Sequence, residues 1–223
     1  MEQFNEQLAL KIDRYIEALL NPPDVALLRN LKDAESSGLP TINVSPNEGK
    51  LLYLLAKIAG AKRVLEIGTL GGYSTTWLAW ALPADGKVIT LELDQKHADV
   101  ARKNLDRAGI ADRVEVRVGR ATETLRQMID RHEAPFDLIF IDADKTSYVD
   151  YLDLSLRLSH TGTVILADNL IRNGRVIDDR PADESARGAK AFNDALAAHR
   201  RLDSIILPII HTNLDGLSIS IVE

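Results

Sequence analysis

The stretch that decides the fold is RVLEIGTLGGYSTTWLAWAL, which runs from Arg63 to Leu82. A short apolar run ends in an acid and a glycine, and a loop containing Gly68, Gly71 and Gly72 then opens into an apparent helix. Glycines let a backbone approach a ligand closely, and the free N–H groups of a helix N-terminus bind polar ligands. The pattern therefore predicts a strand, a turn and a helix that together hold a nucleotide-like ligand.

The glycine spacing indicates which ligand is held. G-x-x-G-G differs from the G-x-G-x-x-G of dinucleotide-binding enzymes, and no Gly-Lys-Ser/Thr follows as in a P-loop. Glu66 would put a carboxylate where a pyrophosphate would be repelled, so the turn suits a sulfonium that carries an ammonium group. Glu92, at the end of the next predicted strand, is placed to accept both hydroxyls of a ribose. Alone, the glycines make a tight turn and Glu92 is an ordinary acidic strand end; together they favour S-adenosylmethionine (SAM) over NAD.

Composition narrows the class of protein. The chain has 223 residues, 45% of them hydrophobic, with a net charge of −6 and no cysteine. The length suits one α/β domain, and the mixed charges argue against a nucleic-acid partner, which needs concentrated Lys and Arg. The lack of cysteine excludes disulfides, thiolate nucleophiles and Cys-ligated zinc. No apolar run reaches the ~20 residues of a membrane span, and the N-terminus does not resemble a signal peptide, so we expect a cytoplasmic protein without a membrane partner.

Strands and helices alternate along most of the chain. Strands are predicted at Val64–Ile67, Val88–Leu93, Val114–Val118, Leu138–Ile141, Val164–Ala167, Ile205–Ile210 and Leu217–Val222. Helices are predicted at Tyr73–Ala81, Gln95–Ala108, Thr122–Arg131, Ser147–Leu158 and Glu184–Arg200. This alternation predicts an α/β fold, a Rossmann-like parallel sheet with helices on both faces. The short connection HTNLDG (211–216) predicts a C-terminal hairpin with one antiparallel strand.

Three helices are predicted before the first strand. Apolar residues recur at spacings of three and four over Phe4–Leu19, a second helix spans about Asp24–Ser36, and Ser45-Pro46-Asn47-Glu48 is a capping box that opens the third. We therefore expect a single domain over residues 1–223, with residues 1–40 as a helical appendage. The apolar faces of the appendage can be covered by the domain, by a second copy of the chain, or by closing as a lid over the active site.

A second group of polar residues follows the fourth and fifth predicted strands. FDLIFIDADK places Asp142 at one strand end with Lys145 three residues on, and TVILADN places Asp168 and Asn169 at the other. Because neighbouring parallel strands end at the same edge, these groups should meet beside the glycine turn. Two carboxylates and an amide suit Mg²⁺, with Mn²⁺ or Ca²⁺ as alternatives, and leave room for water and a bidentate substrate. Each residue alone could instead cap a helix or form an Asx turn.

Other candidate groups carry less information. Asp144 is left between two roles, supporting a metal ligand and capping the next helix. The histidines, which have no metal-ligand spacing and receive no catalytic role, are His97, His132, His160, His199 and His211. His97 and His199 are predicted at solvent-facing helix positions. No G-x-S-x-G motif for nucleophilic catalysis is present.

The order and spacing of these motifs resemble one enzyme family. VLEIGTLGGYS (64–74), IDADK (141–145) and ADN (167–169) are similar to motifs of the metal-dependent class I O-methyltransferases of the caffeoyl-CoA and catechol type. The similarity runs from about Ile42 to the C-terminus. It implies a seven-stranded methyltransferase sheet, usually in a homodimer. It also implies transfer of a methyl group from SAM to one hydroxyl of a vicinal aromatic diol of the catechol, phenylpropanoid or flavonoid type.

The resemblance also assigns site residues by position. Those implied to contact the cofactor are Val44 through its backbone, Glu66, Gly68, Ser74, Glu92 at the ribose, Ala121 by the adenine, and Asp142. Those matching the metal ligands are Asp142, Asp168 and Asn169. Lys145 matches a lysine implicated in deprotonating the acceptor, so Lys145 and Asp142 are the implied catalytic residues.

Two departures from the family pattern fall beside the expected acceptor pocket. Ile42 and Val44 stand where plant relatives have Met and Thr, and LIRNGRV (170–176) stands where many relatives have a Trp. The acceptor is therefore left open. Two other functions compete with methyl transfer. An NAD-dependent oxidoreductase is disfavoured by the glycine spacing, and a cofactor-binding protein without activity would be expected to have lost Lys145 or a metal ligand.

Overall fold

A computed structural model describes residues 6–210 and 213–223 of the protein. Its helices are α1 (Glu6–Leu20), α2 (Val25–Ser36), α3 (Pro46–Ile58), α4 (Tyr73–Ala81), α5 (Gln95–Arg107), α6 (Ala121–Asp130), α7 (Tyr148–Arg157) and α8 (Glu184–Ala198). Its strands are β1 (Arg63–Ile67), β2 (Lys87–Glu92), β3 (Val114–Val118), β4 (Phe136–Ile141), β5 (Ser159–Ala167), β6 (Leu202–Ile210) and β7 (Leu214–Val222). Phe4 of the predicted first helix and His211 of the predicted hairpin lie outside the described residues.

The seven strands form one sheet in the order β3-β2-β1-β4-β5-β7-β6. The first five are parallel, and β7 is antiparallel to both β5 and β6. The predicted parallel sheet with a C-terminal antiparallel hairpin is therefore confirmed. The chain leaves β1 towards β2 on one side and later returns to pair β4 on the other. In open α/β sheets such a reversal opens a crevice beyond the carboxyl ends of the central strands.

Side chains alternate between two cores, one on each face of the sheet. Leu65 of β1 and Ile139 of β4 pack in one core, and their neighbours Val64 and Leu138 pack in the other. All four are inaccessible to solvent. Since successive strand residues point to opposite faces, this alternation means that helices cover both faces.

Several element ends differ from the predicted ones because pairing partners set them. β5 begins at Ser159, which pairs with Phe136, five residues before the predicted start at Val164. β6 begins at Leu202, which pairs with Val222, rather than at Ile205.

The capping box before α3 forms as predicted. The Ser45 hydroxyl accepts the backbone N–H of Glu48 at 3.2 Å, and the Glu48 carboxylate accepts the N–H of Ser45 at 2.6 Å. One turn further on, a Cβ on Gly49 would lie 2.2 Å from the indole nitrogen of Trp77. Only a glycine lets α3 pack so closely on α4, which leads out of the glycine turn.

The two N-terminal helices make different contacts. α2 packs on α5 and α4 and buries Leu27, and Asp33 forms an ion pair with Arg107 of α5. α1 rests on α3, where Asn47 donates hydrogen bonds to Asp13. The outer face of α1 stays apolar and exposed, with Leu8, Ile12, Tyr15 and Leu19 all about half or more accessible to solvent. None of the helices within residues 6–210 and 213–223 has the length and apolarity needed to cross a bilayer.

Candidate active site

The turn over residues 68–74, which we call the cofactor turn, leaves the carboxyl end of β1 in an unusual backbone conformation. The φ angle is +104° at Gly68, +49° at Leu70 and +80° at Gly72. A Cβ on Gly68 would lie 1.9 Å from the carbonyl oxygen of Asp142, so a side chain at residue 68 would collide with the end of β4. Gly68 is therefore the residue that lets the cofactor turn lie directly against Asp142.

Glu66 lies beneath the cofactor turn and is completely buried. Its carboxylate accepts hydrogen bonds from the hydroxyls of Ser74 and Thr90, each at 2.6 Å, and of Thr75. Burial raises the pKa of Glu66 to about 7, against the opposing effect of these hydroxyls and with a further rise from the charge of Asp142. Because three hydroxyls already donate to it, the Glu66 carboxylate ties β1 to α4 and β2 beneath the cofactor turn. Its contact with a cofactor stays a prediction.

Glu92 joins the cofactor turn to the loop after β2. One carboxylate oxygen accepts the N–H groups of Thr69 at 3.3 Å and Leu70 at 2.8 Å, and the other accepts the N–H of Asp94 at 2.9 Å. His97 adds an ion-pair distance of 3.5 Å from its Nδ1 to this second oxygen. Because a carboxylate offers about four acceptor positions, a ribose at Glu92 would share or displace these donors.

The remaining predicted cofactor residues lie around the same edge of the sheet. Ser74 occupies the first turn of α4, and Ala121 is the first residue of α6, beyond the end of β3. Val44 precedes the capping residue of α3, and its side chain is buried in the core on that face. A ligand contact from Val44 would therefore come from its backbone, as the resemblance implies.

Asp142 and Lys145 meet at the end of β4. The Lys145 Nζ lies 3.1 Å from Asp142 Oδ1 and 2.5 Å from the phenol oxygen of Tyr148, and the lysine side chain is only 7% exposed. The Tyr148 hydroxyl also lies within hydrogen-bond distance of the carbonyls of Ile141, at 3.2 Å, and Asp168, at 3.1 Å. Burial raises the pKa of Tyr148 well above 10, so it stays neutral and fixes the lysine between the ends of β4 and β5.

Asp168 and Asn169 follow β5 beside this lysine. Burial raises the pKa of Asp168 well above its usual range; the nearby charges of Asp142 and Glu48 raise it further, and Lys145 opposes them. Asn169 adopts a left-handed backbone, with φ of +61°, and in the part of the chain that the structure describes its side-chain amide makes no hydrogen bond. Strained residues with free polar groups are typical of ligand sites.

These groups have the chemistry of a site for a hard divalent cation. The buried carboxylate of Asp168 lies close enough to the half-buried Asp142 for their charges to repel, and Asn169 is the next residue in the chain. A cation that prefers oxygen ligands would relieve this repulsion. Among residues 6–210 and 213–223 the structure contains no cluster of three or more His, Asp or Glu side chains able to hold a metal, so the amide of Asn169 would be needed as the third ligand.

The structure narrows the two roles left open for Asp144 and corrects two predictions about histidines. Asp144 stands at the N-cap position before Lys145–Ser147, but its carboxylate accepts the hydroxyls of Thr146, Ser147 and Tyr151 rather than backbone N–H groups of the helix; support of a metal ligand stays a prediction. His97 is half-buried against Glu92 instead of facing solvent. His199 lies beyond the end of α8 rather than on a helix.

Sequence reasoning missed several residues that shape the site. Tyr148 lies three positions after Lys145, a spacing that could have indicated contact between them. Glu48 was seen only as part of a capping box, yet its charge acts on Asp168. Asn104 of α5 donates to the carbonyl of Gly71 at 2.8 Å, a bond across 33 residues that no local pattern signals.

The known proteins that this chain is similar to are O-methyltransferases. A family model described as O-methyltransferase matches residues 21–220. A catechol O-methyltransferase of Niastella koreensis is 47% identical over 98% of this chain and 100% of its own length, and one of Mycobacterium tuberculosis is 43% identical over 95% of each. The crystal structure of an O-methyltransferase from Bacillus cereus in complex with SAH, 43% identical, superposes with a TM-score of 0.95 over 98% of this chain and 100% of its own.

Proposed function

The chain belongs to the O-methyltransferase family, and on that premise we propose that it transfers the methyl group of SAM to one hydroxyl of a vicinal aromatic diol with the help of a divalent metal. The observation that carries the proposal is the meeting of Asp142, Asp168, Asn169 and Lys145 beside the cofactor turn. The catechol O-methyltransferases among its relatives support a catechol-type acceptor.

The cofactor would lie along the carboxyl ends of β1, β2 and β3. Glu92 would receive the ribose hydroxyls, Gly68 and Ser74 would border the methionine part, and Ala121 the adenine. Glu66 would set the shape of this wall through its bonds to hydroxyls on α4 and β2. The backbone of Val44 would close the site from the side of α3.

The metal would be held by Asp142, Asp168 and Asn169. When bound, Mg²⁺ or a similar ion would lower the pKa of a coordinated hydroxyl and orient it. Holding both acceptor and donor in reacting position supplies much of the rate of such a displacement. The amide oxygen of Asn169 and the carboxylates of Asp142 and Asp168 would supply the oxygen ligands that such an ion prefers.

Lys145 would handle the proton of the acceptor. Its ammonium group is held by Asp142 and by the phenol of Tyr148, so it cannot swing into solvent. From that position the ammonium form can stabilise the phenolate, and the neutral amine form would be the one that takes the departing proton. No covalent enzyme intermediate is required, because the methyl–sulfur bond of the sulfonium breaks directly and a neutral thioether leaves.

The test is methyl transfer from labelled SAM to matched acceptors: catechol, phenol and resorcinol, before and after chelation and with Mg²⁺ restored. We expect transfer to catechol alone, lost on chelation and regained with Mg²⁺. Asp168→Asn should lower transfer at least a hundredfold, and Asp194→Asn, which changes an exposed acid on α8, should not. Transfer that survives chelation would contradict the metal proposal, and binding of NAD in place of SAM would contradict the whole assignment.

We also propose that the protein is a homodimer that covers the exposed apolar face of α1. Ile12→Asp with Leu19→Asp should then yield a monomer in light scattering, whereas Arg14→Asp with Lys11→Asp on the same helix should leave the dimer intact. A wild-type monomer at micromolar concentration would contradict this proposal.

A further inference from the structure

We infer that Asn104 of α5 is a positioning residue that holds the cofactor turn in its binding conformation; this inference rests on the proposed placement of SAM at that turn. Asn104 is buried, and its Nδ2 donates to the carbonyl of Gly71 at 2.8 Å. Without it, the turn would have no side-chain anchor on the α5 side among the described residues.

Leu70 is the reason the turn needs an anchor. The N–H of Gly72 donates to the carbonyl of Thr69 at 2.8 Å, which closes a four-residue turn with Leu70 in second place. The φ angle is positive at Leu70 and not at Gly71, the pattern of a type II′ turn, in which glycine normally fills that second place. A branched side chain there is strained, and strained backbone persists only where neighbouring groups hold it.

Two bonds, one on each side, provide that restraint. The N–H of Leu70 donates to Glu92 at 2.8 Å, and the carbonyl of Gly71, one residue on, accepts from Asn104. α2 blocks movement in the remaining direction, since a Cβ on Gly71 would lie 3.1 Å from Ala34. The bond from Glu92 ties the turn to β2, and the bond from Asn104 ties it to α5.

The side chain of Asn104 is poorly explained by stability alone. Its Oδ1 is buried and has no hydrogen-bond partner within the described part of the chain. The same holds for both amide atoms of Asn30, which lines the same cavity of about 290 Å³. Unpaired buried polar atoms destabilise a fold, so an apolar residue would suit this place better if packing were the only requirement. The hydrogen bond to the carbonyl of Gly71 is what the Asn104 amide contributes, and it holds the cofactor turn in place.

The test measures the dissociation constant of SAM by calorimetry together with thermal stability. Asn104→Leu keeps the size of the side chain and removes the donor; we expect about tenfold weaker SAM binding, with KM for SAM raised, kcat nearly unchanged and the Tm within about 3 °C of wild type. Asn104→Asp, which keeps the shape and loses the donor when ionised, serves if the leucine variant does not fold. Thr163→Val removes a buried hydroxyl that donates to the carbonyl of Phe136, at the opposite end of the strands, and should lower stability without changing SAM binding.

A second background separates positioning from general damage. Leu70→Gly removes the strain that Asn104 is inferred to restrain, so Asn104→Leu should weaken SAM binding less than about threefold in that background. An equal loss in both backgrounds, or no loss in either, would overturn the inference. A wild-type protein that binds no SAM would instead overturn the proposed function on which the inference rests.

Discussion

Replacing Gly68 by alanine tests how much the close approach of the cofactor turn to the end of β4 contributes to stability and to activity. The new Cβ would stand 1.9 Å from the Asp142 carbonyl oxygen, and 3.0 Å is the shortest distance that real Cβ atoms show. The end of β4 would therefore have to retreat by about 1 Å, which strains the bond from the Asp142 N–H to Ile67, now 2.9 Å long.

The magnitude follows from three contributions. Overpacking of this kind costs about 1–3 kcal/mol, a left-handed alanine about 1–2 kcal/mol, and the weakened ladder bond about 1 kcal/mol. We expect Gly68→Ala to lower the free energy of unfolding by about 4 kcal/mol, which is a fall in Tm of about 8–16 °C for a domain of this size. The rate of methyl transfer by the folded variant should also fall steeply, because the carboxylate of Asp142 moves with its backbone.

A matched control isolates the collision. Gly162 has φ of +92°, and no atom lies within 4 Å of the place that a Cβ would take there, so Gly162→Ala should cost only the conformational part, about 1–2 kcal/mol. Differential scanning calorimetry of the two variants and of the wild type measures the difference. If Gly68→Ala melts within about 3 °C of Gly162→Ala, the collision with the Asp142 carbonyl costs little stability and the reasoning is wrong.

Three further predictions concern charge and metal. Tyr148→Phe should lower kcat about tenfold with KM for SAM unchanged, because Lys145 loses one of its two anchors; steady-state kinetics decides, and an unchanged kcat would count against this role. Glu66 has a folded-state pKa of about 7 against an ordinary 4.5, so it lowers stability as pH rises from 4.5 to 7 and by up to about 3 kcal/mol above that range. Between pH 4.5 and pH 8 the free energy of urea unfolding should fall by about 3 kcal/mol more in the wild type than in Glu66→Gln, which keeps the contribution of Asp168; an equal fall in both proteins would refute the assignment. Mg²⁺ at a hundred times its dissociation constant should raise the Tm by about 5–11 °C in the wild type and not in Asp168→Asn, and an equal rise in both would place the ion elsewhere.

The sequence predicts what depends on local pattern. Short apolar runs between helical segments located the strands, and the capping box Ser45–Glu48 formed with both of its bonds. Asp142 and Asp168 could be placed together because parallel neighbours end at one edge of a sheet. These inferences need only the residue types and the way in which neighbouring parallel strands align.

Features that depend on distant partners could not be predicted in this way. β5 starts early because Ser159 pairs with Phe136, and the conformation of Leu70 depends on Glu92 and Asn104. Lys145 is held by Tyr148, whose hydroxyl in turn lies against the ends of both β4 and β5. For Ser159 and for Leu70 the partner lies many residues away, and the local sequence carries no sign of the meeting; for Lys145 only the spacing to Tyr148 is local.

The position of β7 between β5 and β6 also affects how the chain is made. β5 lacks its partner β7 until residues 214–222 have been made, and synthesis from Ala167 to Val222 takes roughly 3–11 s. During that time Ile165 and Leu166, fully buried in the finished sheet, stand on an open edge that can pair with another nascent chain. The yield of folded protein should therefore depend on translation speed and on chaperones that shield this edge.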